Sequence, residues 1–237
     1  MIPPLIVRRA RELGLEMIAV TDHNAAGNAA AVIKAADGSG LTVLPGMEVT
    51  SREEVHLVCL FDRLDQVLAW QSQVFAALPG RENDEATFGP QFVVDAGGDY
   101  LYTEKRLLAA ATAFPVEEVV ARVRALGGIV LAAHVDRPSF SLFANLGFVP
   151  EGLEIAGMEL SRNADPAGVA QRQPQVAGYG LLVSGDAHRL EEMTARTMLK
   201  VKAPVVDEVA GALAERDGRW VEIVPCDCER SEPIPGH

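Results

Sequence analysis

The sequence predicts an α/β domain: a parallel sheet with helices on both faces, either closed as a barrel or left open as a doubly wound sheet. Two observations predict it. Short, nearly continuous apolar runs alternate with stretches whose apolar residues recur at helical spacing. The apolar runs also hand over to polar residues, histidines among them, at their C-terminal ends. Length sets the scale: 237 residues suit one domain over 1–237 better than two. A chain of this size needs no disulfide or metal merely to fold.

Each element follows in order. Pro3 and Pro4 suit a first helical turn, Ile6, Val7, Ala10 and Leu13 share a face, and Gly14 can end the helix, so the first helix is expected at about 4–13. Met17–Thr21 is a strand ending at Asp22-His23-Asn24, followed by a helix at about 26–36. The same design recurs at Leu41–Leu44 leading to Glu48, at Val55–Phe61 containing His56, at Ile129–Ala133 leading to His134, at about 157–160, and at Leu181–Ser184 leading to Asp186 and His188. Helices are expected at about 65–77, 104–112, 116–126, 166–178 and 205–216. The stretch from about 78 to 103 lacks helical periodicity; Gln91–Asp95 and Tyr100–Tyr102 around Gly97-Gly98 predict a hairpin, and an insertion of this length reads as a lid. A tail is expected from about 225.

Composition narrows the function. Thirty-three acidic residues against 21 basic ones leave a net charge of −12, which argues against coating long nucleic acid, since that takes clustered Lys and Arg. The longest apolar stretches have the length of a buried strand, and no opening stretch has the form of a secretory signal. Cys59, Cys226 and Cys228 form no framework of disulfides or zinc-finger spacing. The reading is a cytoplasmic protein with no membrane partner. Its oligomeric state is not specified by the sequence.

Four of the five histidines, His23, His56, His134 and His188, lie on or just after expected strands. With Glu48 and Asp186 they place imidazole nitrogens and carboxylate oxygens at one end of the sheet. Such donors favour zinc, manganese or iron over magnesium. No nucleophile elbow, no cysteine beside a strand-end histidine and no phosphate loop is present. Metal-assisted hydrolysis is the chemistry left standing.

The runs Thr21-Asp22-His23-Asn24, Pro45-Gly46-Met47-Glu48 with His56, Ala133-His134 and Ser184-Gly185-Asp186-Ala187-His188 together resemble the polymerase and histidinol phosphatase (PHP) family of metal-dependent phosphoesterases. The resemblance runs in order from about residue 4 to about 190. It implies a distorted (β/α)7 TIM-like barrel whose C-terminal mouth binds up to three divalent metals, with a metal-bound hydroxide attacking a phosphate ester. Carried over, Glu48 bridges metals one and two, His56 and His134 complete site two, Asp186 belongs to site one, and His23 and His188 hold site three. Glu48, Asp186 and His188 then form the catalytic set. Asp22 orients the cluster from behind or caps the next helix. The implied substrate is a small phosphorylated metabolite, a nucleotide or a short oligonucleotide.

The sequence departs from the family pattern at its start, where the family has a strand carrying His-x-His and this chain has its first helix. The expectation is therefore a barrel lacking its first strand, from a late start codon or a truncation, with one or two metals bound and impaired catalysis. Arg137, Arg189 and Arg162 at expected strand ends are candidates to clamp a phosphate, with pairing to neighbouring acids as the alternative. Phe140, Phe143 and Phe148, with Leu142 and Leu146, read as core or wall residues and not as a base-stacking platform. Cys226-Asp227-Cys228 reads as surface tail. Two rival functions are a zinc amidohydrolase on a similar barrel and a non-catalytic metal- or nucleotide-binding protein.

Overall fold

The computed structural model describes residues 1–225; Cys226, Cys228, His237 and the expected tail lie outside the described residues. Along the chain run α1 (Pro3–Glu12), β1 (Met17–Val20), α2 (Ala29–Ala35), β2 (Thr42–Thr50), β3 (His56–Leu60), α3 (Leu64–Ala77), α4 (Glu85–Phe88), β4 (Phe92–Val94), β5 (Tyr100–Thr103), α5 (Val116–Ala125), β6 (Ile129–Ala132), α6 (Leu142–Leu146), β7 (Gly157–Leu160), α7 (Pro166–Arg172), β8 (Leu181–Val183), β9 (Thr197–Lys200), α8 (Val206–Leu213) and β10 (Trp220–Ile223). Six strands form one curled sheet in the order β1-β2-β3-β6-β7-β8, half of a distorted TIM-like barrel. The α/β barrel expectation is borne out. No helix among the described residues is long and apolar enough to cross a membrane.

Side-chain alternation sorts the strands into two faces. Met47, Val49, Leu57, Cys59, Val130, Ala132, Met158 and Leu160 point outward and pack beneath Val67, Trp70 and Val74 of α3 and the four valines of α5 in the main core. Leu44, Val58, Leu60, Ile129 and Leu131 point inward and meet Val206, Val209 and Leu213 of α8. The inner face thus has an apolar floor, and the polar ends of its strands stand above it.

The expectation of a wholly parallel sheet fails at β3, which runs antiparallel to both β2 and β6. Only residues 51–55 separate β2 from β3, too few for the crossover that a parallel neighbour requires. This reversal matters for the rim. His56 begins its strand, so only an antiparallel β3 brings it to the end where the other strands finish.

Residues 104–112 are not helical. Their backbone groups are spent elsewhere: the carbonyls of Leu108 and Ala110 accept from Asn24 Nδ2 at 2.8 and 2.9 Å, and Leu108 N–H donates to Gln91 Oε1. The expected helix over 166–178 stops at Arg172 because Pro174 drives the residue before it out of the helical region. The expected hairpin forms between β4 and β5. An antiparallel pair of strands, β9 and β10, joined through α8, and the short α4 and α6 have no counterpart in the sequence reading.

The outermost strands β1 and β8 pair on one side only. Among the described residues no strand pairs with either free edge, and a cavity of about 1010 Å³ opens there, with Ile18, Val20, Leu182 and Val183 along its walls beside Thr197 and Leu199 of β9. Both edges of the sheet face this one opening.

Asn24 anchors the rim of β1. It is fully buried and also accepts the Thr50 N–H at 3.1 Å, so one side chain satisfies three backbone groups. Asn24→Ala leaves the buried Thr50 N–H without an acceptor and two part-buried carbonyls without donors. It is expected to cost about 2–4 kcal/mol, read as a lower urea midpoint at unchanged m-value.

Candidate metal centre

The rim is built from strand ends. Beyond β1, the chain stays paired with β2 through a His23–Glu48 bridge, and Asn24 N–H donates to the Glu48 carbonyl at 2.8 Å. Gly46 makes this close approach feasible: a Cβ there would stand 2.8 Å from the Cys59 carbonyl and 2.9 Å from both Leu60 Cδ2 and Thr21 Cγ2. The glycine of the Pro45-Gly46-Met47-Glu48 run is therefore a spacing requirement for Glu48.

Glu48 is 5% exposed and surrounded by imidazoles. Its Oε1 lies 2.8 Å from His56 Nδ1 and 3.3 Å from His134 Nε2, and those two nitrogens are 3.2 Å apart. Three donor atoms thus form a triangle. Ligands at 2.0–2.1 Å on a tetrahedral ion stand about 3.3 Å from one another, so the triangle matches one face of such a shell. Glu48 Oε1 and His134 Nδ1 are buried with no hydrogen-bond partner. A divalent cation fits this donor set, which combines a carboxylate with two borderline nitrogen ligands.

His23 extends the cluster, with Nδ1 3.7 Å from Glu48 Oε2 and its ring 5.2 Å from that of His56. His188 faces His23 with ring centroids 5.8 Å apart, and its Nδ1 lies 3.8 Å from Asp186 Oδ1. All six residues expected as ligands therefore meet at one rim, which no pairwise motif would guarantee. His134 and Asp186 both have positive φ, 29° and 40°, in the region where bulkier residues are strained and where functional sites store strain.

The electrostatics follow from burial. Burial works against the Glu48 carboxylate, but the imidazoles of His134 and His56 outweigh it and hold its pKa below the usual carboxylate range. Burial pulls the His134 imidazole down, and the adjacent Glu48 carboxylate more than restores it, leaving the pKa raised. His23 is lowered by burial despite Glu48 nearby.

The remaining candidates differ. Asp22 Oδ2 accepts from Asn28 Nδ2 at 3.2 Å; the helix-capping reading fails, because α2 has Asn28 at its N-cap and no side-chain cap bond. Arg137 reaches the cluster: its Nη1 lies 2.6 Å from Asp186 Oδ2, and its Nε donates to Ser161 Oγ. Its partner is thus an expected ligand and not Asp136 or Glu191. Arg162 pairs with Glu192 at 3.3 Å, and Arg189 is exposed, with its N–H donating to Glu192 Oε2 at 3.1 Å. Of the three arginines, Arg137 alone joins the ligand residues.

Glu159 is the residue the sequence reading missed. It lies one residue before the end of β7, as Glu48 lies toward the end of β2, a lone acid in the apolar run Gly157–Leu160, and that is the signal that could have found it. It is 4% exposed, accepts Ser184 Oγ at 2.5 Å, and burial pushes its pKa up to about 7. Ser184 Oγ in turn accepts the Asp186 N–H at 3.3 Å, so Glu159 braces the turn that carries Asp186.

The PHP domain model matches residues 3–86, which bears out the resemblance drawn from the motifs. Solved structures with the same fold include the lesion-specific endonuclease Q of Pyrococcus furiosus, at 18% identity and TM-score 0.65 over 93% of this chain. The chain spans 53% of that protein's length. A second structure of endonuclease Q, in complex with a 27-mer duplex substrate bearing an abasic lesion, aligns with TM-score 0.66 over the same share of each chain, also at 18% identity. A metal-dependent phosphoesterase from Bifidobacterium adolescentis aligns over 88% of both chains at 19% identity and TM-score 0.52. Comparison with curated proteins finds none that matches.

The raised Glu159 pKa fixes a pH dependence for the metal-free chain. Between the ordinary carboxylate range and about 7, the folded state holds a proton that the unfolded state has lost, so stability falls as pH rises through that window. Glu159→Gln removes this slope. Denaturant melts after chelation should show the variant gaining on the parent by about 3 kcal/mol between pH 4.5 and 8, and parallel curves would refute the assignment.

Proposed function

We propose that the chain, a PHP-domain sequence over residues 3–86, is a metal-dependent hydrolase of phosphate esters. The observation that carries this reading is the triangle of Glu48 Oε1, His56 Nδ1 and His134 Nε2, with sides of 2.8, 3.2 and 3.3 Å. Two of its corners are imidazoles flanking a carboxylate kept ionised at any physiological pH. When bound, a divalent ion supplies positive charge to phosphate oxygens and lowers the pKa of water.

The chain's own residues divide the remaining tasks. Glu48, His56 and His134 would hold one divalent ion, and His23 and His188, whose rings face each other, would hold a second. Asp186, 3.8 Å from His188 Nδ1, is kept in place by Arg137, whose guanidinium is partly exposed to solvent and would be available to a phosphate. Glu159 and Ser184 keep the Asp186 turn rigid, and Asp22 holds Asn28 against the hairpin strand β4. Val94 of the hairpin lines the same cavity as His23, which supports a lid role for the segment of residues 78–103.

The acidic charge points to small phosphate esters. Endonuclease Q is described with a 27-mer DNA duplex, so duplex DNA belongs beside mononucleotides and small phosphate monoesters among the substrates assayed.

Two measurements test this. Calorimetric titration of the chelated chain with Zn²⁺ or Mn²⁺ should give unequal sites, the tighter one lost in Glu48→Gln and His134→Ala, with affinity at least about 100-fold weaker. Hydrolysis of phosphate monoesters should need the added metal and fall by at least about 100-fold in the same variants. Metal binding that is unchanged in both variants would overturn the reading.

A further inference from the structure

One aromatic residue at the rim belongs to neither the core nor the ligand set. Phe140 stacks on His56, with ring centroids 4.9 Å apart and an interplanar angle of 23°, yet the residue is 45% exposed. One ring face lies on an imidazole and the rest is open to solvent. Of the two expected places for this residue, core or wall, the core fails for Phe140 and likewise for the exposed Phe148, whereas it holds nearby: Leu142 is fully buried, and Phe143 and Leu146 pack against the main cluster. The expectation that these aromatics form no base-stacking surface is the one that Phe140 reopens.

The backbone is built to keep the ring there. Phe140 has φ 54°, where a bulky side chain is an outlier that persists only when its surroundings enforce it. They do so from both sides. The Phe140 carbonyl accepts the His56 N–H at 2.9 Å. Next to it, the buried Ser141 donates through Oγ to the Arg137 carbonyl at 2.8 Å and accepts the Ala144 N–H at the start of α6. A strained turn that fixes an exposed aromatic ring beside the donor triangle gains nothing for the core.

We propose that Phe140 is a specificity-determining residue, the stacking surface for a flat aromatic ring, such as a nucleobase, on the organic side of the phosphate ester. This rests on the reading of the rim as a phosphate-ester site. A phosphate held near His56 places its ester group beside the open face of Phe140, and a ring already immobilised stacks on a base with little further loss of freedom. Stacking of this kind distinguishes a base from no base but tolerates any base, because every base has a π-face.

The test compares AMP with ribose 5-phosphate, two alkyl phosphates with the same ester linkage that differ in the base. With the Mn²⁺-loaded chain, the kcat/KM ratio of AMP to ribose 5-phosphate should be about tenfold or more. Phe140→Leu, which keeps bulk without a π-face, and Phe140→Ala should bring the ratio near one, while Phe140→Trp keeps it. Using a ratio cancels any effect of the variants on metal affinity through His56. A parent ratio near one, or a ratio unchanged in Phe140→Ala, overturns the proposal. If neither ester is hydrolysed, the hydrolase reading fails on its own. Calorimetric affinities of the two compounds for the metal-loaded chain then decide the Phe140 proposal by the same ratios.

Discussion

A carboxylate buried among imidazoles organises this molecule. Glu48 sits 5% exposed on the inner face of the sheet, where an isolated charge would be prohibitive. His134, His56 and His23 converge on it from β6, β3 and the end of β1. Much of the rim can be read as the means of bringing those three strands to that one carboxylate: the reversal of β3, the missing side chain at Gly46, and the side chain of Asn24 tying β1, β2 and the 104–112 segment together.

The arrangement carries local strain. Asn24, His134, Phe140 and Asp186 all hold positive φ, and such conformations cost about 1–3 kcal/mol each for residues with a Cβ. The outward face of the sheet, with Trp70, Phe61, Met47 and Leu57 fully buried beneath α3 and α5, supplies packing with no functional demand on it. The larger core lies on the face opposite the chemistry, and the inner face adds the smaller α8 cluster below the rim.

Much of this could be read from the sequence because strands covered on both faces spell themselves as apolar runs, and a polar residue that closes such a run must stand at the rim. That logic found His23, Glu48, His134, Asp186 and His188. It found His56 without its strand direction, since an alternating run reads the same both ways and only the five-residue connection to β2 decides. It overpredicted a helix at 104–112, where Leu107–Ala111 favour helix but Asn24, 84 residues earlier, takes the carbonyls. It passed over Glu159 because no partner of that residue is near in sequence, and it could not foresee that Arg137 would answer Asp186. Long-range polar pairing is what local pattern does not encode.

The opening between β1 and β8 gives the rim an uneven mechanical character. Glu48, His56 and His134 stand on three strands joined by an unbroken hydrogen-bond ladder, so their spacing is as fixed as the ladder itself. His188 reaches His23 across the gap instead, and what sets that 5.8 Å separation is the curl of the whole sheet together with Met193 leaning on the α1–α2 cluster. The rim is a split ring with a rigid arc and an adjustable aperture, so a slight change in curvature resizes the space between His23 and His188 and leaves the inner triangle untouched.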